Sequence, residues 1–403
     1  MQRSDDRIHV THTGRLAPTS KAFEEADRHK ARSEPYDEAA YPGLLVGAIR
    51  QVVQRQLALG IDAISDGELG RLRTFPYYSR RLSGIEYRAC RPGEFGATIF
   101  KTRERERFRE YYEEADRARY AAGAPSRRDM MIVCNGPLTS KGTAELESEL
   151  KRFREILATE NAAGRDAFFP VIAPGWLDHF IFNEYYRSEE EFIHALAEVM
   201  RPEYEAIVAA GFIVQIDDPG LPDSWATFIP EPPLEDYRRR SRVRIEALNH
   251  ALRGIPEDRV RYHLCWGSWN GPHVDDLPFK HVADLMLEVK AQAYSFEAGN
   301  VRHEHEWKIW REVKLPPGKI LIPGVVSHRT NTVEHPEVVA DRLLNFARLV
   351  GRENVMAGTD CGMGGGRIHA EIGWAKLESS IAGAALASQE LWGQKRSRAA
   401  ASA

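Results

Sequence analysis

The stretch GFIVQIDDPG, residues 211–220, is a short apolar run that ends in two aspartates, a proline and a glycine. An apolar run of this length followed by turn residues is typical of a buried β-strand. The same pattern recurs along the chain. The runs are RIHVTHTG (7–14), IDAISDGE (61–68), MMIVCNGP (130–137), AFFPVIAPG (167–175), GFIVQIDDPG (211–220), RYHLCWG (261–267), AYSFEAGN (293–300), KILIPGVVSH (319–328) and NVMAGTDCG (354–362).

Helical patterns lie between most of these runs, for example LLVGAIRQVVQRQLALG (44–60) and VADRLLNFARLVG (339–351), which have apolar residues at helical spacing and a final glycine. Strands that alternate with helices indicate a parallel sheet of βαβ units. We therefore predict an α/β fold, a single (β/α)8 TIM barrel whose active site lies at the carboxyl ends of the strands. An open doubly wound sheet is the alternative.

The barrel is predicted to span residues 1–392, and nine strand-like runs compete for its eight places. One run must lie outside the barrel, and 130–137 or 167–175 are the two candidates. The highly charged segment 101–128 is expected to form a helical excursion between strands. Residues 393–403 are expected to form a disordered tail.

The bulk composition is that of an ordinary globular protein. The chain has 403 residues, of which 43% are hydrophobic and 28% charged, and a formal net charge of −4. This balance gives no basis for binding nucleic acid through bulk electrostatics. No apolar run reaches the roughly 18 residues needed to cross a bilayer, and the first residues lack the apolar core of a signal peptide. We expect a cytoplasmic protein without membrane or nucleic-acid partners; its oligomeric state stays open, a homo-oligomer included.

Four side chains at predicted strand ends carry the chemistry of metal ligands. His263 and Cys265 are two residues apart in RYHLCWG, so in an extended strand they point to the same face. Glu297 in YSFEAG and Cys361 in GTDCG end two further strands, and in a barrel the strand ends meet at one mouth. Two thiolates, one imidazole and one carboxylate are a set suited to Zn²⁺. For the His263–Cys265 pair alone, a hydrogen-bonded core histidine beside a buried cysteine is the alternative.

Several motifs resemble a known superfamily. The stretches ISDGE, QIDDP, HLCWG, YSFEAG, PGVVSHRTNTVEHPEVVADR and AGTDCG occur in this order within residues 7–390. In these motifs the chain resembles the cobalamin-independent methionine synthase superfamily, in particular its C-terminal catalytic barrel. The resemblance implies a TIM barrel of the uroporphyrinogen decarboxylase/methionine synthase type. It also implies that His263, Cys265, Glu297 and Cys361 ligate zinc.

The resemblance further implies transfer of a methyl or other alkyl group to a small thiol, as in the methyltetrahydropteroyltriglutamate–homocysteine methyltransferases. Zinc holds sulfur ligands ionised near neutral pH, and the substrate thiol would take the place of Glu297 and attack the alkyl donor. Glu68 and Asp217 fall on the motifs that hold the substrate's amino group; strand-end turn chemistry is the alternative for both. A proton donor for the leaving group is assigned to His328, one residue before the position that strict alignment gives to the family's histidine.

Two features depart from the family's pattern. Arg15 stands where the family has a serine that binds the amino-acid substrate, and an arginine can bind a carboxylate or a sulfonate. Arg71 and Arg73 are further cations available for an anionic thiol. The segment CNGPLTSKG (134–142) lacks the tryptophan associated with the folate donor. The thiol and the donor therefore stay open, and thiol addition to an epoxide, as in epoxyalkane:coenzyme M transferase, is one alternative.

Two other classes of function compete with alkyl transfer. One is a metal-free barrel of the decarboxylase kind, related to the uroporphyrinogen decarboxylases. The other is a zinc-holding barrel without catalysis that binds or stores a thiol. The His263–Cys265 pair and the distant Cys361 speak against the first, and thiol-dependent turnover would exclude the second.

Overall fold

The computed structural model of the chain describes residues 1–18, 20–32, 34–71, 78, 80–121, 130–364 and 368–400. The strands are β1 His9–Val10, β2 Ala63–Ile64, β3 Leu82–Ala89, β4 Met130–Ser140, β5 Asp166–Ile172, β6 Ile181–Asn183, β7 Ile213–Asp217, β8 Val260–Leu264, β9 Ala293–Phe296, β10 Ile320–Pro323 and β11 Met356–Ala357. The α-helices are α1 Lys21–Arg32, α2 Tyr41–Leu59, α3 Arg103–Arg107, α4 Arg109–Ala121, α5 Ala144–Thr159, α6 Pro174–Leu177, α7 Glu189–Ala209, α8 Gly220–Thr227, α9 Leu234–Ala251, α10 Ala283–Glu288, α11 Pro336–Val350 and α12 Ala370–Ala400. Short 3₁₀ helices cover Thr98–Phe100, Glu257–Arg259, Phe279–His281, Glu304–Arg311 and Arg352–Asn354.

A curled parallel sheet forms the centre of the fold, which confirms the predicted α/β class. Six strands pair in the order β10-β9-β8-β7-β5-β2, and β1 pairs in parallel with β11. At one edge, single parallel bridges join the β10 segment to the β11 segment. At the other edge, the backbone amide of Asp62 donates to the carbonyl oxygen of Val10 over 2.9 Å, which sets β1 beside β2.

Two predicted runs were candidates for the strand outside the central sheet, and 130–137 is the one found there. It forms β4, which pairs antiparallel with β3 and in parallel with β6 in a separate three-stranded sheet. The run 167–175 instead supplies β5, which lies between β2 and β7. The order of the parallel sheet therefore follows the chain order of the remaining runs.

The residues of the central strands show that both faces of the sheet are buried. All residues of β8 and β9 are buried, as are the first four of β7, so these strands lack the polar alternation of a sheet with one wet face. The helices that cover them carry ordinary boundary signals. Ser188 caps α7 by accepting a hydrogen bond from the amide of Glu191, and Gly60 ends α2 with a left-handed φ of 77°.

The charged segment predicted as a helical excursion contains α3 and α4, and it contacts the loop that follows β8. The hydroxyl of Tyr111 donates to the carbonyl oxygen of Asn270 over 2.5 Å. The amide of Val274 donates to a carboxylate oxygen of Glu104 over 2.8 Å. Residues 122–129 lie outside the described part of the chain.

At the end of the chain, α12 covers most of the segment for which we expected a disordered tail, and residues 401–403 are outside the described part. The disordered tail stays a prediction. In the part of the chain that the structure describes, none of the helices combines the length and the apolarity that a membrane span requires.

Candidate metal centre and substrate pocket

Three of the four predicted metal ligands meet at the carboxyl ends of the strands. His263 is in β8, Cys265 directly follows it, and Cys361 follows β11. One ligand atom from each lies within 4.8 Å of the others. His263 and Cys265 are 2% and 4% exposed, and Cys361 is half-buried. These residues form a candidate metal site with the nitrogen and sulfur donors of a soft divalent ion.

The electrostatics of this cluster fit a bound cation. The pKa of the Cys265 thiol is raised well above its usual value, first by its hydrogen bond with Cys361 and then by burial. Two adjacent thiols of which one is fully buried resist joint ionisation, and a positive charge between them would favour it. Nδ1 of His263 lies 3.3 Å from the Ser295 hydroxyl oxygen. Although burial acts to lower the pKa of His263, its hydrogen bond with Cys361 and the charge of Asp217 raise it. With Nε2 deprotonated, the ring would offer a lone pair next to the two cysteine sulfurs, and these are the donors that a metal ion would need.

The fourth predicted ligand, Glu297, lies beside the cluster but is bound by other groups. Its carboxylate accepts hydrogen bonds from Arg329 Nη2 on both oxygens, at 3.0 and 2.9 Å, and from Arg329 Nε at 3.2 Å. The backbone amide of Trp266 and the side-chain amide of Asn300 donate to it as well, over 3.0 and 2.7 Å. Although burial acts to raise the pKa of Glu297, the Arg329 charge and nearby histidines lower it. Glu297 is therefore an ionised, fully buried carboxylate.

A neighbouring carboxylate, Asp360, fixes the backbone that carries Glu297. Its Oδ1 accepts from the backbone amides of Ala298 and Gly299, over 2.8 and 2.7 Å, and its Oδ2 accepts from the Asn300 side chain over 2.9 Å. Since Asp360 directly precedes Cys361, these bonds join the loop after β9 to the loop after β11. The Ser268 hydroxyl lies 3.0 Å from the Cys361 sulfur, and this contact joins the loop after β8 to the loop after β11.

Two predicted substrate-binding carboxylates, Glu68 and Asp217, also lie near the cluster, because the charge of Cys361 acts on both. Burial raises the pKa of Asp217 to about 8; His263 lowers it, whereas the charges of Glu68 and Cys361 raise it further. Burial also raises the pKa of Glu68, against the charges of Arg15 and Arg71. Glu68 has a φ of 56°, an uncommon left-handed conformation for a residue other than glycine. For both carboxylates, burial therefore outweighs the nearby positive charges.

The arginines predicted to serve an anionic thiol differ in their surroundings. Arg15 is partly exposed, and its backbone carbonyl oxygen accepts a hydrogen bond from the amide of Met363, just past Cys361. Arg71 instead pairs with Asp66 over 2.5 Å and lies 3.4 Å from the ring centre of Phe169. This pairing makes Arg71 a structural cation, while Arg73 lies outside the described residues.

The predicted proton donor His328 is buried, 4% exposed, and its charge helps to lower the pKa of Glu297, so it lies on the Glu297 side of the cluster. Sequence reasoning placed Arg329 at the family's histidine position but gave it no contact. It also missed Asp360, Asn300 and Ser268. The signal for Asp360 was its place in GTDCG, one residue before a candidate ligand at a strand end.

Comparisons with known proteins find relatives that are named methionine synthase. No family model matches the chain. A methionine synthase from Thermococcus kodakarensis is 23% identical over 344 residues, which cover 84% of this chain and 82% of that protein. A methionine synthase from Saccharolobus solfataricus is 22% identical over 347 residues, which cover 85% and 84%. A third, from Sulfurisphaera tokodaii, is 26% identical over 224 residues, which cover 55% and 56%.

Solved structures share the fold. A B12-independent methionine synthase from a Shewanella species, in complex with selenomethionine, has a TM-score of 0.70 and 16% identity over 96% of this chain and 99% of that one. A Listeria monocytogenes protein described as a putative vitamin-B12 independent methionine synthase has a TM-score of 0.63 and 16% identity over 96% and 99%. With the motifs and the long sequence matches, these findings confirm the resemblance to the cobalamin-independent methionine synthase superfamily, and the names of the relatives support an enzyme of the methyltransferase class.

Proposed function

We propose that this enzyme transfers a methyl group to the sulfur of a small amino-acid thiol, with Zn²⁺ held by His263, Cys265 and Cys361. The observation that carries the proposal is the meeting of these three donors next to the Glu68 and Asp217 carboxylates. Bound zinc would supply the positive charge that keeps an acceptor sulfur ionised near neutral pH. Side chains of this chain would bind the acceptor and donate the proton.

The acceptor is proposed to bind through its amino group to Glu68 and Asp217. Both carboxyl groups have a raised pKa because they are buried without enough neighbouring positive charge. An ammonium group placed between them would provide that charge and favour their ionised forms. Arg15, whose charge acts on Glu68, would bind the acceptor's carboxylate. Homocysteine has both groups, and the relatives are named methionine synthase.

A sulfonate thiol such as coenzyme M fits this pocket less well. It has no ammonium group for Glu68 and Asp217, and its negative charge would add to theirs. Arg15 alone favours it. Epoxide opening by such a thiol is therefore the less supported alternative.

His328 is proposed to donate a proton to the group that leaves the methyl donor. It is buried, and it lies close enough to Glu297 for its charge to lower the pKa of that carboxylate. A buried histidine next to the candidate metal site suits proton donation to a leaving group. The donor itself stays open, because the tryptophan associated with folate has no counterpart in residues 134–142.

Finer features of the fold also remain proposals. We infer that the six-stranded and two-stranded parallel sheets close into one (β/α)8 barrel over residues 1–392. The bridges from Leu321 to Val355 and from Gly324 to Gly358, with the Asp62–Val10 hydrogen bond at the other edge, support closure. The cytoplasmic location and the tail over 393–403 stay predictions from sequence.

The experiment that tests the proposed function measures methyl transfer by enzyme that is stripped of metal and then reloaded with zinc. Homocysteine and coenzyme M serve as acceptors, each with a panel of methyl donors. We expect turnover with homocysteine only after zinc is restored. Full turnover by the metal-free enzyme would contradict the proposal. So would homocysteine binding to the zinc-loaded enzyme without methyl transfer from any of the donors.

A further inference from the structure

Glu297 and Arg329 form an ion pair with several hydrogen bonds at the carboxyl ends of the strands. The guanidinium reaches both carboxylate oxygens, and the Trp266 amide and Asn300 side chain complete their hydrogen bonding. The carboxylate is 0% exposed and the arginine side chain 11%. A bidentate pair of this kind is among the strongest charge-assisted interactions in proteins.

Arg329 is itself fixed by the loop that carries Cys265. Its Nη2 donates to the carbonyl oxygen of Gly267 over 3.1 Å, and Nη1 lies 3.4 Å from the carbonyl oxygen of Trp269 and in contact with His273. The arginine therefore has a fixed position relative to the cluster. Release of Glu297 would leave two opposite charges buried without each other, which is unfavourable.

We infer that Arg329 is a positioning residue that holds Glu297 off the metal, so that the protein supplies three ligands and the fourth place stays open for the acceptor sulfur. The inference rests on the proposed function. Among the described residues, the set whose ligand atoms lie within 4.8 Å is His263, Cys265 and Cys361, without Glu297. The position of Arg329 therefore revises the interpretation from sequence, in which the thiol displaces Glu297.

Charge balance gives this arrangement a consequence for thiol binding. Two thiolates and a neutral histidine balance the charge of a divalent ion, and Arg329 balances Glu297. An acceptor thiolate then adds a single negative charge to a neutral centre. If Glu297 were released by loss of Arg329, its carboxylate would compete for the same place and would repel the incoming sulfur.

The test compares five proteins: wild type, Glu297→Gln, Arg329→Gln, the double variant and Arg302→Gln. Arg302 is the matched control, since its Nη2 donates to the carbonyl oxygen of Val274 and not to Glu297. Zinc affinity is measured by competition with a chelator. Homocysteine affinity is measured on the cobalt-substituted proteins from the sulfur-to-metal absorption, which does not depend on turnover. Circular dichroism reports folding.

We expect Glu297→Gln to keep its zinc Kd within about threefold of wild type, because an outer partner is changed and not a ligand. Arg329→Gln should weaken homocysteine binding by about tenfold, and the double variant should restore it, because the interfering carboxylate is then gone. Arg302→Gln should match wild type. If Arg329→Gln does not fold, Glu297→Gln and the double variant, which replaces two charges by two neutral amides, still decide the question.

A loss of zinc affinity well beyond tenfold in Glu297→Gln would show that Glu297 is a ligand and would overturn the inference, while the proposed function would stand. Homocysteine binding that is equally weak in Arg329→Gln and the double variant would also overturn it. Failure of the wild-type protein to bind zinc at all would instead refute the proposed function, and this inference with it.

Discussion

Two sets of buried carboxylates lie near the His263–Cys265–Cys361 cluster, and their charges are balanced in different ways. Glu297 has a lowered pKa because Arg329 outweighs the effect of burial. Asp217 has a pKa raised to about 8, because burial and the nearby Glu68 outweigh His263. The protein therefore supplies a cation for Glu297, whereas it leaves Asp217 with a raised pKa that a bound cation would lower. Under the proposed function, this difference distinguishes a positioning carboxylate from one that binds the substrate.

The largest effect is expected at Cys361, because its charge acts on both Asp217 and Glu297. Cys361→Ser should lose metal and methyl transfer together, because the oxygen that replaces sulfur is a poor ligand for zinc at a soft site. The loss of zinc affinity should exceed the roughly 10–100-fold typical of changes to outer partners. Elemental analysis and activity assays on the same preparation provide the check.

Cys90→Ser is the matched control for that change, because Cys90 is half-buried and follows β3 in the separate sheet. It should retain full zinc content. A Cys361→Ser protein with normal zinc content would contradict the proposal that Cys361 is a zinc ligand.

The next largest effect is expected on the Glu297 side, at His328. His328→Gln should lower kcat by about 10²-fold or more, the range typical of a lost general acid, with little change in the KM for the thiol. Steady-state kinetics with varied homocysteine separates the two constants. An effect confined to KM would assign His328 to binding, and equal loss with a donor whose leaving group needs no proton would exclude proton donation.

A smaller effect is expected at Asp217. Asp217→Asn should raise the KM for homocysteine by about 10- to 100-fold, because a charge-assisted hydrogen bond contributes roughly 1.5–3 kcal/mol. Zinc content should not change. The comparison becomes sharper with 3-mercaptopropionate, which lacks the amino group. Wild type and Asp217→Asn should use this thiol about equally, and a similar penalty for both thiols would contradict a role in binding ammonium.

The smallest effect is expected on stability, at a buried side chain that is hydrogen-bonded in its neutral form. His179 lies between the Thr98 and Ser224 hydroxyl oxygens, at 2.5 and 2.7 Å, and burial lowers its pKa to about 4. The folded protein keeps this ring neutral while the unfolded chain takes up a proton below about pH 6.5. Stability is therefore complete above pH 6.5 and falls as the pH drops towards 4.

Between pH 6.5 and 5 this group should reduce the free energy of unfolding by about 2 kcal/mol. In His179→Gln the slope of stability against pH in this window should be flatter, as measured by urea denaturation. His369→Gln, at a side chain that is 68% exposed, is the control. Equal slopes in all three proteins would show that His179 is not the group that titrates.

The sequence predicted the structure best where an apolar strand ends in polar side chains. Apolar runs with polar ends predicted β5, β7, β8, β9 and β10 closely, because strands buried on both faces leave a continuous apolar signal. For β1 and β11 the runs were predicted at greater length than the two-residue strands observed. The runs 130–137 and 167–175 could not be told apart. Their placement depends on pairing with β3, a segment of weaker apolar pattern.

The candidate site shows the same division between local pattern and tertiary contact. Spacing and family motifs predicted that His263, Cys265 and Cys361 come together, and they do. Glu297 was equally visible in the sequence, but its partner is set by the loop that brings Arg329 across the mouth. An arginine at a strand end can bind a substrate anion or a protein carboxylate, and only the structure distinguishes these cases.

X-ray absorption at the zinc edge, with and without homocysteine, tests the central claim most directly. The account predicts two sulfur ligands and one histidine nitrogen in the free enzyme, from Cys265, Cys361 and His263, and a third sulfur when homocysteine is added. An unchanged sulfur count, or bound zinc that keeps both sulfurs in Cys361→Ser, would contradict it.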